Sequence, residues 1–388
     1  MITNLQVDSS GAAASLGQPQ LHVTPPKSHR FLFLDALRGV AALFVVAFHF
    51  PSTMTSSLAV NGLLAVDFFF CLSGFVIAFS YESRLAETIS FKDFAVARLI
   101  RLYPIYAFGS FLGLLVVIFV QHLVWHAVSW ATLSSLTALA FFLWPTRLSP
   151  LHQPENYPLN DPSWSLFYEI LANLAYALLI KLRLAGTGVL LCIIATSLAL
   201  LIHAVLVGGT LDVGATQAGL YLGFARVSFS FFFGVLLCRL YRRRQSNAPT
   251  QRNPWLLPAG ITLALIAILN SPASWMRTEN FRLAAMSLCL PAMVYFGALA
   301  RLPHSVIPLA TALGELSYPL YLLHMPFISL MSSRRLLRLA AIHPLLSHSL
   351  VLCLIAILAC AAWWIGEHVD LPIRRALTRR YNSFKQAK

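Results

Sequence analysis

Charge is what this chain has least of. Asp, Glu, Lys and Arg make up 11% of its 388 residues, and only 14 residues are acidic, where an average soluble domain is about 25% charged. A chain so poor in charge cannot give several soluble domains a hydrated surface. Pairs of cysteines are lacking as well. Cys71, Cys192, Cys238, Cys289, Cys353 and Cys360 all lie inside apolar runs, with no two at metal-ligand spacing, so neither a disulfide framework nor a zinc site is supported. No metal is expected. No repeat of fixed period is visible, so the paired halves of many transporters are not detected.

What the chain does have is apolar sequence: 58% of its residues are hydrophobic, and the mean hydropathy is +0.72. Since a spanning helix takes about 20 residues, the expected fold class is all-α, a polytopic transmembrane bundle of about ten spans in the lipid bilayer. The 28 Lys and Arg residues give a formal net charge of +14, but they sit in short clusters between apolar stretches. That pattern signals topology and not a nucleic-acid surface.

Residues 1–30 are rich in Ser, Gly, Ala, Pro and Gln and contain no signal-peptide core, which predicts a disordered cytoplasmic tail. Residues 31–375 form the membrane domain, and 376–388 a basic cytoplasmic tail. Hydrophobic runs lie near 31–51, 62–81, 102–124, 129–145, 164–180, 186–208, 218–238, 255–270, 283–300, 313–331 and 347–366. The basic groups after 62–81 (Arg84, Lys92, Arg98, Arg101) and after 218–238 (Arg239, Arg242, Arg243, Arg244) are both cytoplasmic only if one run between them does not cross. The weakest is 129–145, short and rich in Ser and Thr, which we read as a re-entrant or interfacial segment. Both termini are then cytoplasmic. Arg147, Arg226, Arg277, Arg282, Arg334, Arg335 and Arg338 do not fit that orientation.

Ionisable side chains inside spans are costly and mark functional sites by default. The first span holds Asp35, Arg38 and His49. At about 100° per residue Arg38 and His49 fall within about 20° of one face, separated by about 16 Å along the axis. They imply a path across the membrane, although an anchoring Asp–Arg pair and a structural histidine would look the same. Ser73-Gly74 in the second span suits close helix packing more than nucleophilic chemistry, since no Gly-x-Ser-x-Gly elbow surrounds Ser73. Arg98 and Arg101, three apart, suit phosphate oxygens, of a ligand or of lipid headgroups. Trp164, Ser165 and Glu169 open the fourth crossing span, with Ser165 and Glu169 on one face. Parity puts Glu169 in the same membrane half as His49, where a carboxylate could orient the imidazole of a general base. Arg226 and His324 lie within later spans, and for His324 a structural hydrogen bond and a site role weigh equally.

Taken in order, six segments resemble the acyltransferase 3 family of membrane acyltransferases. They are Asp35-x-x-Arg38-Gly39 with His49; Asp67-Phe68-Phe69 through Leu72-Ser73-Gly74-Phe75; Arg98-x-x-Arg101-x-x-Pro104; Trp164-Ser165-Leu166-x-x-Glu169; Ser317-Tyr318-Pro319-Leu320-Tyr321 through His324; and Glu367 before Pro372. Cys71 stands where the family has an aliphatic residue, and Glu367 and Pro372 are more widely spaced than usual. The resemblance implies ten spans, cytoplasmic termini, and transfer of an acyl group, commonly acetyl, from acyl-CoA to a hydroxyl of a carbohydrate or lipid-linked sugar acceptor. Acyl-CoA is a co-substrate, and no cofactor is permanently bound. On this reading His49 is the general base and Glu169 its partner; Arg38, Arg98 and Arg101 hold the donor; and Asp35, Ser73, Trp164, Ser165, Arg226 and His324 are substrate-site candidates. No esterase-like domain is expected after the last span. The rivals are a secondary transporter using Arg38, His49, Glu169 and Arg226 as an ion pathway, and a non-catalytic assembly component.

Overall fold

The structure, a computed structural model, describes residues 31–50, 58–119, 128–146, 156–216, 218–244, 253–270, 274–331 and 344–387. The expected tail at 1–30 and the misfit arginines Arg147, Arg334, Arg335 and Arg338 lie outside these residues. The described elements are helical: α1 Leu32–His49, α2 Leu64–Glu87, α3 Phe91–Val116, α4 Trp130–Phe141, α5 Ser163–Lys181, α6 Thr187–His203, α7 Leu220–Arg244, α8 Leu256–Asn270, α9 Glu279–Ala284, α10 Leu290–Leu299, α11 Ile307–Met331, α12 Pro344–Ile365 and α13 Leu371–Gln386. A π-helical turn at Ala285–Cys289 joins α9 to α10, and another at Gly366–Asp370 joins α12 to α13.

Among the described residues, nine segments are long and apolar enough to cross a membrane, and α4 and α8 are shorter apolar helices. The 12 residues of α4 reach only about 18 Å, against a hydrocarbon core of about 30 Å. Its far end meets the middle of α3, where Tyr103 donates to the carbonyl of Phe141 at 2.7 Å and Tyr106 to that of Ala140. Its start packs with Val117 and Val128. This helix therefore dips alongside α3.

Two parallel helix pairs build the bundle. In the first, α2 runs beside α7, with Asp67 opposite Arg226 at one end and Glu82 opposite Arg239 at the other. Contact is backbone to backbone, because a Cβ on Gly74 would collide with the carbonyl of Phe231, and one on Gly234 with the carbonyl of Cys71. This is the close approach that Ser73-Gly74 predicts. In the second pair α1 runs beside α11, joined near one end by Arg38 and Ser317 and at the other by His49 and His324.

The basic clusters collect at one end. Glu82 on α2 holds Arg239 at 2.6 Å and Arg242 at 3.3 Å, Arg239 donates to the carbonyl of Ala185 after α5, and Lys385 on α13 holds Asp93 at the start of α3 at 2.8 Å. Two exceptions to the charge pattern have a local cause. Arg226 is 1% exposed and paired with Asp67 at 2.8 Å, and Arg282 pairs with Glu279 at 2.6 Å, so neither reports topology. The stretch expected to be a tail from residue 376 continues α13, which lies against α3.

Candidate active site

Three polar clusters lie within the bundle, and α11 carries a member of two of them. Its residues Ser317, Tyr321 and His324 lie at i, i+4 and i+7, one stripe of a helix. Towards the basic end, Arg38 donates to the Ser317 hydroxyl at 2.8 Å and to the carbonyl of Gly314 at 3.1 Å, and pairs with Asp35 at 3.1 Å.

The second cluster joins α2, α3 and α5. Ser73 donates to Glu169 at 2.7 Å, and Arg98 lies 3.4 Å from the same carboxylate oxygen. Arg98 is 7% exposed, and its Nε has no hydrogen-bond partner among the described residues. A buried guanidinium N–H without an acceptor costs stability, so this donor is open to a further acceptor. Arg98 and Arg101 do not lie on the single face expected of them. Three residues turn a helix through about 300°, and α3 is buried on one side only, so Arg98 enters the bundle while Arg101 lines an open cleft of about 750 Å³ between α3 and α13.

The third cluster sits at the end away from the basic clusters. His324, fully buried, places Nδ1 2.7 Å from the carbonyl of Tyr321 and Nε2 3.3 Å from His49 Nδ1. His49 Nδ1 is also 2.8 Å from the carbonyl of Val45. Because a carbonyl only accepts, Nδ1 of His324 carries the proton, and Nε2 of neutral His324 is the acceptor. Nδ1 of His49 then carries its proton, flanked by two acceptors. The lone pair of His49 is left on Nε2. One helical turn deeper, Tyr321 and Ser165 share a hydrogen bond of 2.7 Å.

The Glu169–His49 contact expected from the sequence is not formed among the described residues. Glu169 lies six residues into α5, about 9 Å from its start, and this depth brings it to Ser73 and Arg98. His324 takes the place beside His49. Arg226 makes four hydrogen bonds, two to Asp67 and one each to the carbonyls of Leu63 and Val213, and its guanidinium lies 5.6 Å from the Trp164 ring. Each of its three nitrogens donates within the protein, so Arg226, Asp67 and Trp164 form an internal brace. Tyr321, which is not among the site candidates expected from the sequence, shares a helix stripe with Ser317 and His324 and bonds the candidate Ser165.

Comparison with known proteins agrees with this architecture. The acyltransferase domain model of the acyltransferase 3 family matches residues 31–367. The chain is 39% identical over 163 residues to "Protein 2 in picA locus" of Rhizobium radiobacter, covering 40% of this chain and 83% of that protein. It is 26% identical over 234 residues to a putative peptidoglycan O-acetyltransferase, YrhL, of Bacillus subtilis, covering 56% of this chain but only 35% of that protein. No solved structure matches. With a family match over nearly all the helical bundle, the chain belongs to the acyltransferase 3 family and is a multi-pass membrane acyltransferase.

Proposed function

We propose that this protein moves an acyl group, in the simplest case acetyl, from cytoplasmic acyl-CoA to a hydroxyl of a carbohydrate-type acceptor, with His49 as general base. The observation that carries the reading is the His49–His324 pair, which leaves Nε2 of His49 unprotonated. The acceptor oxygen attacks the thioester carbonyl while Nε2 takes its proton. The carbon–sulfur bond breaks, and the imidazolium returns the proton to the departing thiolate, giving free CoA and the ester. His324 positions the base and stabilises its charged form by accepting from Nδ1, the part an aspartate plays in a catalytic triad.

The donor enters at the basic end, which this reading makes cytoplasmic together with both termini. Arg101 in the cleft meets its phosphates. The unpartnered Nε of Arg98 lies between that cleft and the interior and offers a hydrogen bond to an amide or thioester carbonyl of the pantetheine arm. A sugar hydroxyl as acceptor is favoured by the peptidoglycan O-acetyltransferase name of the Bacillus subtilis relative. The test is release of free thiol from acetyl-CoA by purified protein with soluble glycan fragments as acceptor. Acceptor-dependent release is the expected result, and CoA binding without release would overturn the assignment.

A further inference from the structure

Residues beyond the family match, which ends at 367, build the wall of the cleft opposite α3. This wall is α13, a 16-residue helix. It is held against α3 by two contacts to one carboxylate, Tyr381 to Asp93 at 2.8 Å and Lys385 to Asp93 at 2.8 Å. Arg374, Arg375, Thr378 and Arg379 of α13 face Arg101 of α3 across the cleft, and none of the lining residues is acidic. Asp370 behind this wall pairs with Arg374 at 2.9 Å, which leaves Arg375 and Arg379 at i, i+4 as a matched pair on one helix face.

We propose that α13 is the second jaw of the donor site, and that Arg375 and Arg379 grip the phosphates at the nucleotide end of acyl-CoA together with Arg101. The inference rests on the acyl-CoA reading above. A diphosphate with a ribose phosphate carries close to four negative charges, and besides Arg374, which Asp370 holds, the three guanidiniums of Arg101, Arg375 and Arg379 line a space of about 750 Å³, inside the usual range of about 300–1,000 Å³ for ligand pockets. Guanidiniums bind such oxygens in pairs of parallel hydrogen bonds. Lipid headgroups offer the same phosphate chemistry. A helix that only anchored to lipid would have no reason to turn its arginines towards a cleft shared with α3.

The experiment is calorimetric titration of CoA into the full-length protein in nanodiscs, either zwitterionic or containing anionic lipid. Wild type is compared with Arg375→Gln/Arg379→Gln, and with Arg380→Gln as an α13 control outside the cleft. The double variant should bind CoA about tenfold or more weakly in both lipids, the control should differ by less than about twofold, and Arg375→Lys/Arg379→Lys should recover only part of the loss. Added salt should weaken wild type more than the double variant. Acetyl transfer from S-acetyl-pantetheine, which lacks the nucleotide, should be the same for wild type and variant. Equal CoA affinity for wild type and double variant, or a loss confined to anionic nanodiscs, would make α13 a headgroup anchor and overturn this inference alone. Failure of the wild type to bind CoA would overturn the acyl-CoA reading, and the jaw with it.

Discussion

The two histidines are unequal partners because of one carbonyl. Tyr321 fixes the tautomer of His324, and His324 fixes that of His49, so removing either ring has a different consequence. His49→Ala removes the base and should lower the maximal rate about 100- to 10,000-fold with donor affinity unchanged. His324→Ala leaves the base in place but unoriented. Its rate should fall less, and His324→Gln, whose side-chain carbonyl can still accept from His49, should recover part of it; a steady-state comparison of kcat and KM for the three proteins checks this order. Glu169→Gln removes the anion beside Arg98 and should alter use of the donor more than proton transfer, seen as a rise in KM for acetyl-CoA larger than the fall in kcat.

A residue prediction of another kind concerns the brace. Arg226 and Asp67 are each about 1% exposed and joined by two hydrogen bonds of 2.8 Å. Arg226→Leu strands a buried carboxylate at a cost of about 3–5 kcal/mol. Detergent-solubilised protein should melt at a clearly lower temperature, while any molecules that remain folded keep a normal KM. A raised KM at unchanged melting temperature would instead give Arg226 a substrate role.

Among the elements, the α2–α7 contact depends on two residues without side chains. Gly74→Val should force these helices apart, because the added Cβ meets the backbone of Phe231 and not a side chain that can rotate away. Loss of the folded protein in size-exclusion chromatography is the expected outcome. The stripe of Asp35, Arg38 and His49 on α1 was legible from helical periodicity, since it needs only the residue spacing. The rotation of α3 was not: spacing put Arg98 and Arg101 on one face, but which residues are buried depends on α5 and α11, which pack there. Glu169 shows the same limit. Parity counting assigned it to a membrane half, whereas its hydrogen bonds are set by its depth within that half.

For the molecule as a whole, the order of spans and the dipping α4 follow from hydropathy and the grouping of basic residues. The ion pairs that gather Glu82, Arg239 and Arg242, and Asp93 with Lys385, at one end give that grouping a physical form. The helix α13 was not foreseen, because a run of arginines with only scattered apolar residues reads as a solvated tail. The short helix α8, with 15 residues, is the element whose crossing most needs a test. Single cysteines at Asn253 and Ser274, which flank it, on a background without the native cysteines, should react with an impermeant thiol reagent from opposite sides of a sealed vesicle. Labelling of both from one side would leave α8 uncrossed and reverse the orientation of α10 and α11.

The measurement that bears most directly on the account is acceptor-dependent thiol release from acetyl-CoA by wild-type and His49→Ala protein, reconstituted side by side and matched for folded content. Wild type should release thiol in proportion to the ester formed on the glycan, and His49→Ala should show a rate about 100-fold lower or less than that with CoA affinity intact. Ester formation by the folded His49→Ala protein at the wild-type rate would contradict the account at its centre.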